Sequence, residues 1–157
     1  MHKVFFIAIS CFMCNIIYAQ KDIYTRTLKE YQKNYVSNHE VVKGKEKKFF
    51  HFYPINSKYN VACFFEKITD SVGFTMTTSA KTIKHYYKYG RLDFMIDGKE
   101  YLLYVYQSKD LMQTEEYKDY LFVPFTDATT GDETYGSGRY LEFFKKDIVG
   151  NTLQLDF

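Results

Sequence analysis

Arg91-Leu-Asp-Phe-Met-Ile-Asp-Gly-Lys-Glu-Tyr-Leu-Leu-Tyr-Val-Tyr106 decides the fold. Two apolar-rich runs, 91–96 and 100–106, flank Asp97-Gly98. That dipeptide is the strongest short hairpin signal, because both central residues of the turn need positive φ. Lys99 extends the loop to three residues if it leaves the ladder. Leu92, Phe94 and Ile96 alternate onto one face, as in a half-buried strand. Tyr101 to Tyr106 is almost continuously apolar, which places that strand in the middle of a layered structure.

The pattern continues on both sides of this hairpin. Upstream, Phe49–Tyr53 reads as a strand ended by Pro54, with turn chemistry at Asn56-Ser57-Lys58. Tyr59–Glu66, Phe74–Thr78 and Lys84–Tyr89 follow, the last closing at Gly90. Downstream, Leu111–Asp119 is polar, and Tyr120–Phe125 is a strand in which Pro124 implies an edge or a bulge. Asp127–Gly138 is a loop. Arg139–Phe144 and Thr152–Phe157 are the last strands, joined through Gly150-Asn151, with Leu153, Leu155 and Phe157 facing inward. Sixteen Tyr and fifteen Phe without Trp suit strands that bury large side chains; packing accounts for them better than a ligand groove does. The expected fold is mostly β: an antiparallel β-sandwich or partly open β-barrel of about eight strands.

One amphipathic helix precedes it. Between residues 20 and 38, Tyr24, Leu28, Tyr31 and Tyr35 recur at helical spacing, and Asp22 is placed to cap the start. Residues 38–48 are polar and read as a surface loop around Gly44. Further upstream, His2 and Lys3 precede an apolar run from Val4 to Ile17 and then Tyr18-Ala19-Gln20. This is the layout of a secretory leader cut after Ala19; an uncleaved anchor is the alternative. Ala8-Ile9-Ser10-Cys11 is a poor lipidation box. The chain of 157 residues therefore divides into a leader (1–19), a helix and loop (20–48) and a β domain (49–157). It is expected to be secreted or periplasmic, with no membrane span after cleavage. Loss of the leader removes Cys11 and Cys14. Cys63, flanked by Phe64-Phe65, is then a lone thiol expected to be buried and inert.

Motifs for familiar chemistry are missing. Gly136-Ser137-Gly138 lacks the spacing of a nucleophile elbow and the third Gly of a dinucleotide loop. His39, His51 and His85 show no ligand spacing, and no Cys pair suits zinc. Asp127-x-Thr129-x-Gly131 echoes a calcium loop, but it lacks the second acid and has Gly138 at position twelve. No cofactor is called for. Interspersed charges and a net charge of +2 give no face for nucleic acid. One stretch stands out: 124–140 gathers Asp127, Thr129, Glu133, Tyr135 and Arg139 around three glycines. Arg139 opens a strand, where its fork can hold a carboxylate or phosphate or be clamped by Asp127 or Glu133.

These residues also carry a resemblance. Phe52-Tyr53-Pro54-Ile55 with Tyr59, Met76-Thr-Thr-Ser79, Tyr89-Gly90, Asp97-Gly98-Lys99, Leu121-Phe-Val-Pro-Phe-Thr-Asp127, Thr129-x-Gly131-x-Glu133-Thr-Tyr-Gly-x-Gly-Arg-Tyr-Leu141 and Leu155-Asp-Phe157 resemble the bacterial and archaeal domain-of-unknown-function family 1684 (DUF1684). The resemblance implies a compact, mostly β and often exported domain, and it supplies no catalytic residues. It also implies a further Asn-rich segment with two Cys after the Asp-Phe dipeptide, so this version resembles a C-terminally truncated member. If that segment completes a site with Asp127, Glu133 and Arg139, the version is inactive. Three functions follow as expectations. The first is a module that grips a small anionic or sugar-like ligand through Tyr135 and Arg139. The second is a hydrolase using Asp127 or Glu133 as acid or base and Arg139 as anion stabiliser. The third is a structural component in which the loop is a rigid plug. No motif specifies an oligomeric state.

Overall fold

A computed structural model describes residues 3–78 and 81–157, with side chains from Lys21 onward. His2, Ser79 and the leader side chains, Cys11 and Cys14 among them, lie outside the described residues. The chain forms two compact units, residues 1–57 and 58–157.

The second unit is one sheet of seven antiparallel strands, nearly closed into a barrel. They are β1 (Asn60–Lys67), β2 (Phe74–Thr77), β3 (Ile83–Ile96), β4 (Lys99–Ser108), β5 (Tyr120–Phe125), β6 (Arg139–Phe144) and β7 (Thr152–Asp156). The hairpin at Asp97-Gly98 forms as its chemistry demands, with φ of 52° and 74°. Ile96 pairs with Lys99, so Lys99 belongs to the strand and the loop has two residues. From this hairpin the sheet grows both ways, in the order β6-β5-β4-β3-β1-β7. β4 runs along one edge of β3. The other edge is shared: β2 pairs near its start, with Phe74 opposite Tyr86, and β1 pairs near its end, with Phe64 opposite Asp93.

Two expected strands, 84–89 and 91–96, are one. Gly90 does not close a strand; it lies buried inside β3 at a bulge between Lys88 and Gly90. The reason is long-range. A β-carbon there would stand 2.2 Å from Phe65 Cε2 and 2.9 Å from the Glu66 carbonyl oxygen. Phe65 therefore needs a residue without a side chain beneath it, which is a familiar use of glycine in a strand. The edge expected from Pro124 is not found, since β5 lies between β4 and β6; the proline is tolerated because the β4–β5 pairing stops short of it. β4 meets β5 at Tyr106 opposite Phe122, and Pro124 pairs toward β6, opposite Tyr140.

Alternation sorts the side chains. Leu92, Val105, Leu121 and Val123 are fully buried, and Cys63, Phe65, Phe94, Phe143, Leu153 and Leu155 complete one core. Each contributes about 1.5–3 kcal/mol for a large apolar side chain fully removed from water. The inward reading of β7 holds for Leu153 and Leu155. On the outer face, Phe74, Tyr86, Tyr106 and Phe122 pack edge to face or tilted across four strands, with centroids 5.1–6.4 Å apart. Much of the tyrosine content is thus cross-strand packing.

Cys63 is 1 % exposed, and burial pushes its thiol up to about 12. Only the thiolate alkylates readily. At pH 8 iodoacetamide should leave the Cys63 peptide unmodified in the native protein and modify it fully in denaturant, as read by peptide mass spectrometry. Equal labelling in both states would contradict the burial.

The first unit holds α1 (Lys3–Asn38), longer than the expected 20–38. Asp22 is consequently internal to the helix and caps nothing. Tyr24 and Leu28 are half-buried, while Tyr31 and Tyr35 are exposed. The expected strand at Phe49–Tyr53 does not form. A 3-10 turn covers Gly44–Phe49, and residues 50–56 join no ladder. The alternating Phe50 and Phe52 serve another purpose: Phe50 packs on Tyr35 and His39 at the end of α1, and Phe52 packs on Tyr35. No helix among the described residues is long and apolar enough to cross a membrane.

Candidate functional site

β5 and β6 carry the site. Val123 pairs with Leu141 and Phe125 with Arg139. Since Val123 faces the core, the same alternation points Phe125 and Arg139 inward at the rim of the barrel. The loop between them, residues 126–138, turns back on itself through Thr129. Its carbonyl oxygen accepts from the N–H groups of Asp132, Glu133 and Thr134 at 3.2, 3.0 and 2.9 Å, and Gly131 N–H donates to the Thr134 carbonyl. Gly131 and Gly138 supply φ of 86° and 88°, values at which a β-carbon is strained.

Asp127 is the centre of this loop. Its Oδ1 accepts from Thr129 N–H at 2.9 Å and from Thr129 Oγ1 at 2.6 Å, and its Oδ2 pairs with Arg139 Nη2. The Thr129 hydroxyl first, with Thr129 N–H and then the Arg139 guanidinium, holds the Asp127 carboxyl below the usual carboxylate range. The guanidinium lies over the Phe125 ring, 5.0 Å from its centroid. Phe125 meets Phe157 edge-on at 5.4 Å, and Phe157 stacks on Phe94 of the core at 5.2 Å. Arg139 Nε is buried and has no hydrogen-bond partner among the described residues.

The structure thus brings Asp127, Thr129 and Arg139 together. Glu133 is exposed and joins the loop through its N–H. Tyr135 accepts from Gly138 N–H through its carbonyl oxygen, while its ring is 65 % exposed. Sequence reasoning missed Phe125, Phe157, Thr130 and Thr134. Thr130 Oγ1 accepts from Asp127 N–H at 3.0 Å, and Thr134 Oγ1 lies 3.1 Å from Thr129 Oγ1. The register of the β5–β6 hairpin could have found Phe125. Phe157 needed the closure of the sheet. No group of His, Cys, Asp and Glu suited to a metal ion occurs among the described residues.

Fold and rim define a class: a small antiparallel β-barrel-like domain with a glycine-punctuated loop folded over an inward-facing arginine. The model of the family described as "Protein of unknown function (DUF1684)" matches residues 47–157, and the chain belongs to that family. Among solved structures it is similar to the solution structure of an uncharacterised protein of Haloarcula marismortui, at 21 % identity and a TM-score of 0.59, covering 88 % of this chain and 77 % of that one. No curated protein matches.

Proposed function

We propose that the β domain is an exported, small-ligand-binding module, its leader removed near Ala19, and that Arg139 at the rim grips a carboxylate. The single observation supporting this is the state of the guanidinium: stacked on Phe125, held by Asp127 at Nη2 and unbonded at Nε. An unsatisfied buried donor costs about 1–3 kcal/mol. A ligand carboxylate that bridges Nε and Nη2 in the bidentate manner of Arg forks recovers it, with the guanidinium turning in its plane over Phe125 as Asp127 is displaced. Exposed Tyr135, in the loop that folds over Arg139, offers a face for the rest of a sugar-like ligand. The acid–base reading is weaker, because a carboxyl held as low as Asp127 is a poor base near neutrality.

A thermal-shift screen with sugar acids and small dicarboxylates tests this. One or more should raise the melting point of the wild type, and Arg139→Ala should abolish that rise. The Arg139–Asp127 side chains are 33 % and 35 % exposed, so the variant loses about 1 kcal/mol and still folds. No shift with any carboxylate, or a shift that survives in Arg139→Ala, would defeat the proposal. The second reading, a structural plug, is favoured by the hydrogen bonds that saturate Asp127 Oδ1. It requires Arg139→Ala to lose stability well beyond a surface pair.

A further inference from the structure

Charge is divided unevenly between the two units. Residues 1–57 carry nine Lys and Arg against four Asp and Glu, whereas residues 58–157 carry twelve against fifteen. Four of the lysines fall within Lys43-Gly-Lys-Glu-Lys-Lys48. The structure shows how this segment is held. Lys47 Nζ donates to the Ser37 carbonyl at 2.5 Å, at the end of α1, where a cation suits both the unpaired carbonyls and the helix dipole. Val42 N–H donates to His39 Nδ1 at 3.0 Å, and Phe50 packs on His39 and Tyr35. Lys47 and Phe50 are therefore used as fasteners. Lys43, Lys45 and Lys48 are left exposed, and none forms an ion pair among the described residues. At the two ends of the segment, Val41 is 84 % exposed and Phe49 75 % exposed.

We infer that residues 41–49 dock on an anionic phospholipid bilayer. Lysines without ion pairs, one of them (Lys48) lying over the Phe49 ring at 5.0 Å, and flanked by exposed apolar side chains, match a surface that is negative outside and apolar just beneath. The lysines approach the phosphates while Val41 and Phe49 enter the acyl boundary. The acidic β unit is repelled by such a surface, so attraction rests on residues 1–57, where this loop holds the densest run of lysines. A nucleic acid fits less well: the loop has no Arg fork for base edges, and Val41 cannot stack on a base.

Co-sedimentation of the full-length protein with vesicles tests the inference. The apolar run 4–17 can enter any bilayer, so the readout is the gain in binding when phosphatidylglycerol is added to phosphatidylcholine. That gain should be present at low salt, fall with added NaCl, and shrink about a hundred-fold in Lys43→Gln/Lys45→Gln/Lys48→Gln, at roughly one lysine's worth of surface attraction each. A second readout uses the absence of tryptophan. Phe49→Trp gives a sole indole, whose emission should shift to the blue with phosphatidylglycerol vesicles and stay put with phosphatidylcholine alone. The idea is overturned by a gain that is insensitive to salt, by unchanged Phe49→Trp emission, or by a triple variant that binds like the wild type. It is also overturned if a short DNA duplex binds as tightly as the vesicles and Phe49→Ser weakens neither, which would assign a general polyanion surface instead.

Discussion

Gly90→Ala is expected to lower the melting temperature of the β unit by about 10 °C, as followed by circular dichroism. Overpacking a tight core by one methyl costs about 1–3 kcal/mol, and in a unit of this size each kcal/mol moves the melting point by about 4–8 °C. The upper part of that range applies here. The added carbon would lie 2.2 and 2.7 Å from two atoms of the Phe65 ring and 2.9 Å from the Glu66 carbonyl oxygen. The ring cannot swing aside freely, because Phe65 is 6 % exposed and stacked on Tyr89 at 5.9 Å. The backbone of Glu66 is fixed in its ladder, with Glu66 opposite Arg91 and Lys67 opposite Gly90 itself. The penalty comes from space and not from φ, so a smaller partner should relieve it. Gly90→Ala/Phe65→Leu should lose less than the sum of its single variants, as neighbours that share a contact do. Strict additivity, or an unchanged melting curve for Gly90→Ala, would show that the ring does not cover this glycine.

The same residue shows where the sequence is readable. The hairpin at Asp97-Gly98 was legible because its cause is local: the two residues that need positive φ are the ones that tolerate it. The alternation of Leu153 and Leu155 is local too. Gly90 looked like a strand end because its reason, Phe65, is distant in sequence and adjacent only through the β1–β3 pairing. Phe49–Tyr53 misled for a related reason. Alternating aromatics suit a strand, but Phe50 and Phe52 alternate onto the end of a helix, and their backbone joins no ladder. At the rim, Asp127, Thr129 and Arg139 were nameable together because one loop carries all three. That Arg139 stacks on Phe125, and Phe125 on Phe157, depends on the register of one hairpin and the curling of the whole sheet. Neither is written in the spacing of the loop. The strength of the clamp depends on exposure, which the sequence does not show either. A buried pair would cost about 3–5 kcal/mol to break, whereas this pair, a third exposed, belongs with pairs worth about 1 kcal/mol or less.

Gly138→Ala should damage the rim more than any change to the ion pair itself. Two penalties combine there. At φ 88° an L side chain is strained, by roughly 1–3 kcal/mol. The β-carbon would also sit 2.7 Å from the Phe125 carbonyl oxygen, which is backbone and cannot rotate away, because Phe125 is paired with Arg139 in the β5–β6 ladder. Gly131 provides the control. Its φ is 86°, and nothing lies within 4 Å of the β-carbon position. Gly131→Ala thus carries the strain alone, and the difference between the two variants isolates the clash. Gly138→Ala is expected to be the less stable by about 1–3 kcal/mol in urea unfolding, the scale of an overpacked contact. It should also lose any carboxylate-induced thermal shift, since relief of the clash moves the residue next to Arg139 and carries the guanidinium off Phe125. Gly131→Ala should keep that shift. Equal unfolding energies for the two variants would mean that the strand end yields at Phe125, and that the rim is too soft to hold an arginine in register for a ligand.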